Sequence, residues 1–186
     1  MMNLRSFLMS NLGGLVIEVH NSVAEPDTPV DVNNVRLRSR LNPTPQELAA
    51  AQNQFWWLVN GPDGGFYIQS KLGPGNLVIQ TEGRDVASGR KLQLGTQSLT
   101  AKNQLWQWAP TTLGSNSNGP TGFFLASMLD KDLVIDIKGG RDSPGSLLQV
   151  FPKKRTTTQE EYVEASNQIW TQMPILVEEQ GPTRTG

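Results

Sequence analysis

The side chains of this chain that could do chemistry are carboxamides, not nucleophiles. It has no cysteine and one histidine, His20. That composition excludes a disulfide framework, a thiolate nucleophile or metal site, and any multi-histidine metal site. There is no Gly-x-Ser-x-Gly elbow, and a lone histidine among scattered carboxylates makes no nucleophile–base arrangement. Between Gly83 and Gly89-Arg90-Lys91 lie five residues where a phosphate-binding loop needs four, and no Ser or Thr follows Lys91. What recurs is an amide pair ahead of a tryptophan: Asn53-Gln54-Phe55-Trp56, Asn103-Gln104-Leu105-Trp106 and Asn167-Gln168-Ile169-Trp170. A carboxamide donates and accepts hydrogen bonds at once.

The elements that must position these amides repeat as well. Upstream of each motif stands an apolar run ending in a polar residue: Leu15-Val16-Ile17-Glu18, Leu77-Val78-Ile79-Gln80 and Leu133-Val134-Ile135-Asp136. Before each of these comes another run ending in Ser10, Ser70 or Ser127. Thirteen residues after Glu18, Gln80 and Asp136 lie Asp31, Gln93 and Gln149, each in a third short apolar stretch. Beyond that the spacing diverges, with 35, 23 and 31 residues from the polar strand end to the motif Asn. Short runs rich in Val, Ile, Leu and Phe, separated by Gly-, Asn- and Pro-containing turns, read as strands. About four strands per unit gives roughly twelve, an all-β closed or nearly closed antiparallel barrel. A unit this small cannot bury its own apolar face, so three must share one core. Trp56, Trp106 and Trp170 are then core residues about a pseudo-threefold axis, and the Gln two places before each satisfies buried backbone groups.

Composition narrows the class. At 186 residues the chain is long enough for one domain with an unstapled core. A net charge of −1 argues against a general nucleic-acid or anionic-membrane binder. No apolar run approaches transmembrane length. The start of the chain is a poor leader, because its apolar stretch breaks at Asn11 and aligns with the first strand of the other units. A cytoplasmic location, or export without a classical signal peptide, is the expectation. Two inserts fall in the variable loops. The first alternates Arg36, Arg38 and Arg40, then offers Thr44-Pro45-Gln46-Glu47 as a capped helix start. The second opens a turn of helix at Thr158-Gln159-Glu160-Glu161. Residues 177–186 are a polar tail.

Three Gln-x-Trp motifs in threefold register, each with its polar strand end and Gln-bearing third strand, resemble the ricin B-type (R-type) lectins. The resemblance covers nearly the whole chain. It implies a β-trefoil over residues 1–176, with repeats at about 1–60, 61–116 and 117–176, no cofactor and no metal. It also implies a carbohydrate-binding lectin for galactose- or N-acetylgalactosamine-type glycans. In that family a working unit uses an Asp ending the second strand, a Gln and an aromatic on the third, and the Asn of the motif. An ionised Asp accepts two hydroxyl donors, the aromatic covers the C–H face of the sugar, and Asn fixes orientation.

Carried over residue by residue, the third unit fills every role, with Asp136, Gln149, Phe151, Asn167 and the adjoining Gln168. Phe151 stands where the family usually has Trp or Tyr. The second unit has Gln80 for the acid and Gly95 for the ring, and is expected to be silent. The first offers a possible second site with Glu18, Asp31, Asn53 and Gln54, though Asn33 is a polar platform. Sixteen residues separate Phe151 from Asn167, a loop long enough to wall the pocket. Its Lys153, Lys154 and Arg155, like Arg36, Arg38 and Arg40, read first as solvated basic turns and second as contacts for an acidic sugar. Asp136 alone could simply cap the turn toward Gly139. His20 reads as structural or surface-exposed, and Trp57 and Trp108 as surface platforms or satellite packing. Weak single-site binding would call for avidity, for instance through a homodimer. The alternative function is a protein-binding trefoil with vestigial sugar sites, acting as an inhibitor or toxin-associated module through the insert at residues 41–51.

Overall fold

The computed structural model describes residues 5–37, 43–113 and 122–175. Arg38, Arg40, residues 41 and 42 and the polar tail lie outside them. Twelve strands follow the sequence register. The first unit holds β1 (Ser6–Ser10), β2 (Val16–Val19), β3 (Val30–Asn33), α1 (Pro45–Ala50) and β4 (Trp56–Asn60). The second holds β5 (Phe66–Ser70), β6 (Leu77–Thr81), β7 (Leu92–Thr96) and β8 (Trp106–Pro110). The third holds β9 (Phe123–Ser127), β10 (Leu133–Ile137), β11 (Ser146–Pro152), α2 (Gln159–Glu164) and β12 (Ile169–Pro174).

The first and last strands of each unit close a six-stranded antiparallel barrel. β1 pairs with β12, β4 with β5 and β8 with β9 over their lengths. The ring closes through Ser6↔Trp56, Phe66↔Trp106 and Phe123↔Trp170. The middle strands form three hairpins, β2–β3, β6–β7 and β10–β11. These touch one another in a triangle through Pro29↔Gln93, Lys91↔Gln149 and Leu147↔Asp31. They cap one end of the barrel, and closure leaves the barrel strands no edge to protect. The serine ending each first strand turns the chain into its hairpin by accepting from the amide two residues on, at Leu12, Leu72 and Leu129.

One apolar core fills the space between barrel and cap. Leu8, Ile68 and Leu125 meet Ile17, Ile79 and Ile135 there, with Trp56, Trp106 and Trp170 fully buried. Each indole Nε1 donates to the carbonyl just before the polar strand end, at Ile17, Ile79 and Ile135, over 2.9–3.1 Å. Outside the barrel each unit has a small satellite core, built on Phe7 and Phe55, on Tyr67 and Leu105, and on Phe124 and Ile169. The inserts cover two of these. Leu48 and Ala51 lie over the first and Tyr162 and Ala165 over the third. α1 carries the capping box expected of Thr44 and Glu47, with Pro45 in its first turn. No helix among the described residues is long and apolar enough to cross a membrane.

Replacing Trp106 with Phe keeps an aromatic ring but leaves the Ile79 carbonyl unpaired and part of the core empty. The expected loss is about 2 kcal/mol or more, or about 4–8 °C in Tm, read by thermal denaturation. A change within error would show that the indole bond does not hold hairpin to barrel.

Candidate functional site

A 3-10 turn places each amide pair at the mouth of its unit, Gln52–Gln54, Lys102–Gln104 and Ser166–Gln168. The glutamines are almost completely buried, at 0–2 % exposure, and make the same bonds in all three units. Gln168 Nε2 donates to Asp136 Oδ2 and to the Pro152 carbonyl, while its Oε1 accepts from the Lys154 amide. Gln54 does the same with Glu18, Asn34 and Arg36. Gln104 does so with Gln80, Thr96 and Ser98. The resemblance puts Gln168 and Gln54 among the ligand contacts. Both are buried with their amides bonded to protein groups, one of them the strand-end acid.

The cups above these latches differ. In the third unit Asp136, on β10, faces Gln149 across the hairpin. Gln149 Nε2 donates to its Oδ1 at 2.8 Å, and Asn167 Nδ2 and Gln168 Nε2 donate to its Oδ2 at 2.7 and 3.0 Å. Burial pushes the Asp136 carboxyl above the ordinary carboxylate range. The bonds from Gln149 and Gln168, the charge of Lys154 and the bond from Asn167 pull the other way. Asp136, Gln149 and Asn167 line a cavity of about 380 Å³ with Phe151, Lys154 and the Lys138–Gly140 turn. Phe151 is 41 % exposed, an uncovered ring beside a buried carboxylate.

Lys154, which reads from sequence first as part of a solvated basic turn, is half-buried and tied down. Its Nζ donates to Asn167 Oδ1 at 2.8 Å and to the Glu164 carbonyl at 2.7 Å, so the insert that carries α2 is tied to the cup wall. Lys138, Gly139 and Gly140 were not singled out as site residues. Their place in the hairpin turn just after Asp136 was the available signal.

The other cups are filled by their own side chains. In the first unit Asn33 Nδ2 donates to Glu18 Oε1 at 2.9 Å, and Gln54 and Arg36 reach its Oε2. The platform position is thus folded down onto the acid. His20, two residues beyond Glu18, pairs its Nδ1 with Asp31 Oδ2 at 2.6 Å. Asp31 Oδ1 and Asn53 Oδ1 are buried without a hydrogen-bond partner. Burial raises the Asp31 carboxyl, the bond to His20 lowers it, and neighbouring Glu18 raises it further. In the second unit the Gln80 side chain lies over Gly95, where an added Cβ would stand 2.1 Å from Gln80 Oε1. Gln93 turns away to Asp27 Oδ1. Trp57 carries Lys71 Nζ 4.6 Å over its ring, and Trp108 packs between Phe66 and Phe123 at the barrel end away from the cups. Among the described residues no cluster of His, Asp and Glu could hold a metal ion.

No protein-family model and no curated protein sequence matches the chain. Solved structures do. A designed threefold-symmetric protein, ThreeFoil, superposes with a TM-score of 0.67 at 15% identity, over 91% of this chain and 97% of that one. The C-half of an earthworm R-type lectin, in complex with GalNAc, superposes at 0.59 and 16% identity, over 92% and 98%. The chain is a β-trefoil. An exo-β-1,3-galactanase from Clostridium thermocellum contains a similar trefoil, with a TM-score of 0.69 at 17% identity. That match covers 94% of this trefoil and 31% of the enzyme.

The charged knot in the first cup has a pH signature. A carboxyl whose folded pKa lies above its unfolded value binds a proton more tightly when folded. Its contribution is fully present below the ordinary value of 3.8 and is lost as pH rises through the folded value. Asp31→Asn cannot ionise, so it will gain stability relative to the parent as pH rises from about 4 to 7. Urea midpoints at the two pH values check this, and a parent that holds or improves its stability relative to the variant as pH rises would refute it.

Proposed function

We propose that this trefoil is a carbohydrate-binding lectin of the ricin B type. Its main site is the third-unit cup, and its ligands are galactose- or N-acetylgalactosamine-type glycans. The observation that carries the proposal is the contrast between the cups: the third keeps its acid clamped beneath an open cavity, whereas Asn33 and Gln80 fill the equivalent space in the first and second. The GalNAc bound to the earthworm lectin supports the choice of sugar class.

The chemistry fits a hydroxylated ring. Asp136 receives three side-chain donors yet keeps acceptor capacity for a sugar hydroxyl, and charge-assisted bonds of this kind are the strong ones. Gln149 offers a second N–H and its carbonyl, and Lys154 an N–H beyond the two it has committed. Phe151 supplies the flat apolar face that pairs with the C–H side of a pyranose. Nothing in the cup abstracts a proton or attacks a bond, so the reading is binding without catalysis. Affinity per site is low, and two copies or clustered targets would raise it.

A glycan array of galactose- and GalNAc-terminated probes tests the proposal. Asp136→Ala should weaken binding about a hundredfold. Phe151→Ala, at an exposed ring that the fold does not need, should weaken it about tenfold. Circular dichroism checks that both variants fold. Silence of the parent protein, or unchanged binding by folded Phe151→Ala, would overturn the site. Silence would favour a protein-binding trefoil instead. Leu48 and Ala51 pack on the first satellite core, so that reading is better probed by charged substitutions on the exposed face of α1 than by deleting residues 41–51.

A further inference from the structure

The hairpin turn of the third unit carries a second cavity on the far side of its glycine ridge. It is about 530 Å³ in volume, larger than the sugar cup, and is lined by Lys138, Gly139, Arg141, Ser143, Ser146 and their neighbours. Lys138 and Gly139 line both cavities, so the two adjoin along one turn. Gly139 and Gly140 take positive φ of 73° and 60°, which lets the ridge stay bare of side chains. A Cβ on Gly140 would meet nothing within 4 Å.

The charges around this second cavity are unbalanced. Lys138 and Arg141 form no ion pair with any described residue. The one acid in the turn, Asp142, points elsewhere: its carboxylate lies against Gly13, where an added Cβ would stand 1.7 Å from Oδ1. The equivalent turns of the other units differ. The first carries Glu25 and Asp27, and Asp27 is already bonded to Gln93. The second pairs Arg90 with its own Asp85 at 3.3 Å. On the opposite wall of the sugar cup, the Lys154 amine is held by Asn167 and Glu164. Among the cations that line the two cavities, Lys138 and Arg141 are the ones not tethered in this way.

We infer that the third unit takes an acidic glycan. The neutral ring sits in the Asp136 cup, and a sulfate ester or sugar carboxylate, on that ring or the next, crosses Gly139 to lie between Lys138 and Arg141. This rests on the sugar-binding reading of the Asp136 cup and extends it. Both cations are solvent-exposed, so each contributes modestly and is screened by salt.

The test is calorimetric titration of the full chain with lactose, sulfated lactose and sialylated lactose. At low ionic strength at least one acidic probe should bind about fivefold more tightly than lactose. The gain should vanish in Arg141→Glu and in high salt, with lactose affinity unchanged in the variant. Which probe gains decides between sulfate and carboxylate. Acidic probes no tighter than lactose, or a gain that survives Arg141→Glu, would overturn the inference while leaving the sugar site standing. Absence of binding by any probe would overturn both.

Discussion

The latch made by the glutamine of each Asn-Gln-x-Trp motif is the constraint on which the other features of the molecule depend. One buried amide ties three points of its unit together: the polar residue ending the second strand, the carbonyl ending the third, and an amide two residues further on. Two places later the indole of the tryptophan holds the carbonyl immediately before that polar residue. The hairpin is thereby joined to the barrel by bonds made in low dielectric, where leaving any one unmade is expensive. Because the three latches have the same geometry, the three units can close one barrel around one core.

A polar-floored cup follows from this construction at little extra cost. The latch must grip a polar side chain at the end of the second strand, so every unit holds a carboxylate or carboxamide at the floor of a depression between hairpin and motif. In the third unit that group is Asp136, fixed from both sides before any ligand arrives. Such preorganisation reduces the ordering cost of binding. The same burial raises the carboxyl above its ordinary range, and the surrounding donors are what keep the charge tolerable. The apolar platform and the tethered Lys154 complete a wall that the shorter loop of the second unit does not build.

The first and second cups show how a shared scaffold fills a cup without losing its fold. Gly95 removes the platform, and the Gln80 side chain moves over the vacancy while still receiving the Gln104 latch bond. Glu18 keeps the charge but is drawn into a self-contained network with Asn33, Arg36 and Gln54. In both units the latch survives, because the core needs it. The groups above the latch are free to vary, because the core does not.

The sequence by itself determined the strands, their threefold register, the buried tryptophans and the capped helix start of α1. These follow from patterns local to a few residues: apolar runs, turn chemistry and a Thr-Pro-x-Glu box. It also placed Asp136, Gln149, Phe151 and Asn167 in one unit, since strand pairing turns a constant spacing into a constant neighbour. Only the tertiary structure decided which lone pairs and N–H groups were already taken. That bonded Gln168 to Asp136, bonded His20 to Asp31, folded Asn33 over Glu18 and brought Lys154 to Asn167. It also left Lys138 and Arg141 uncompensated beside the cup. The reason is geometric. Spacing along a strand fixes which residues share a face, but the partner of a polar side chain depends on rotamers and on loops of differing length, and these meet only when the barrel closes.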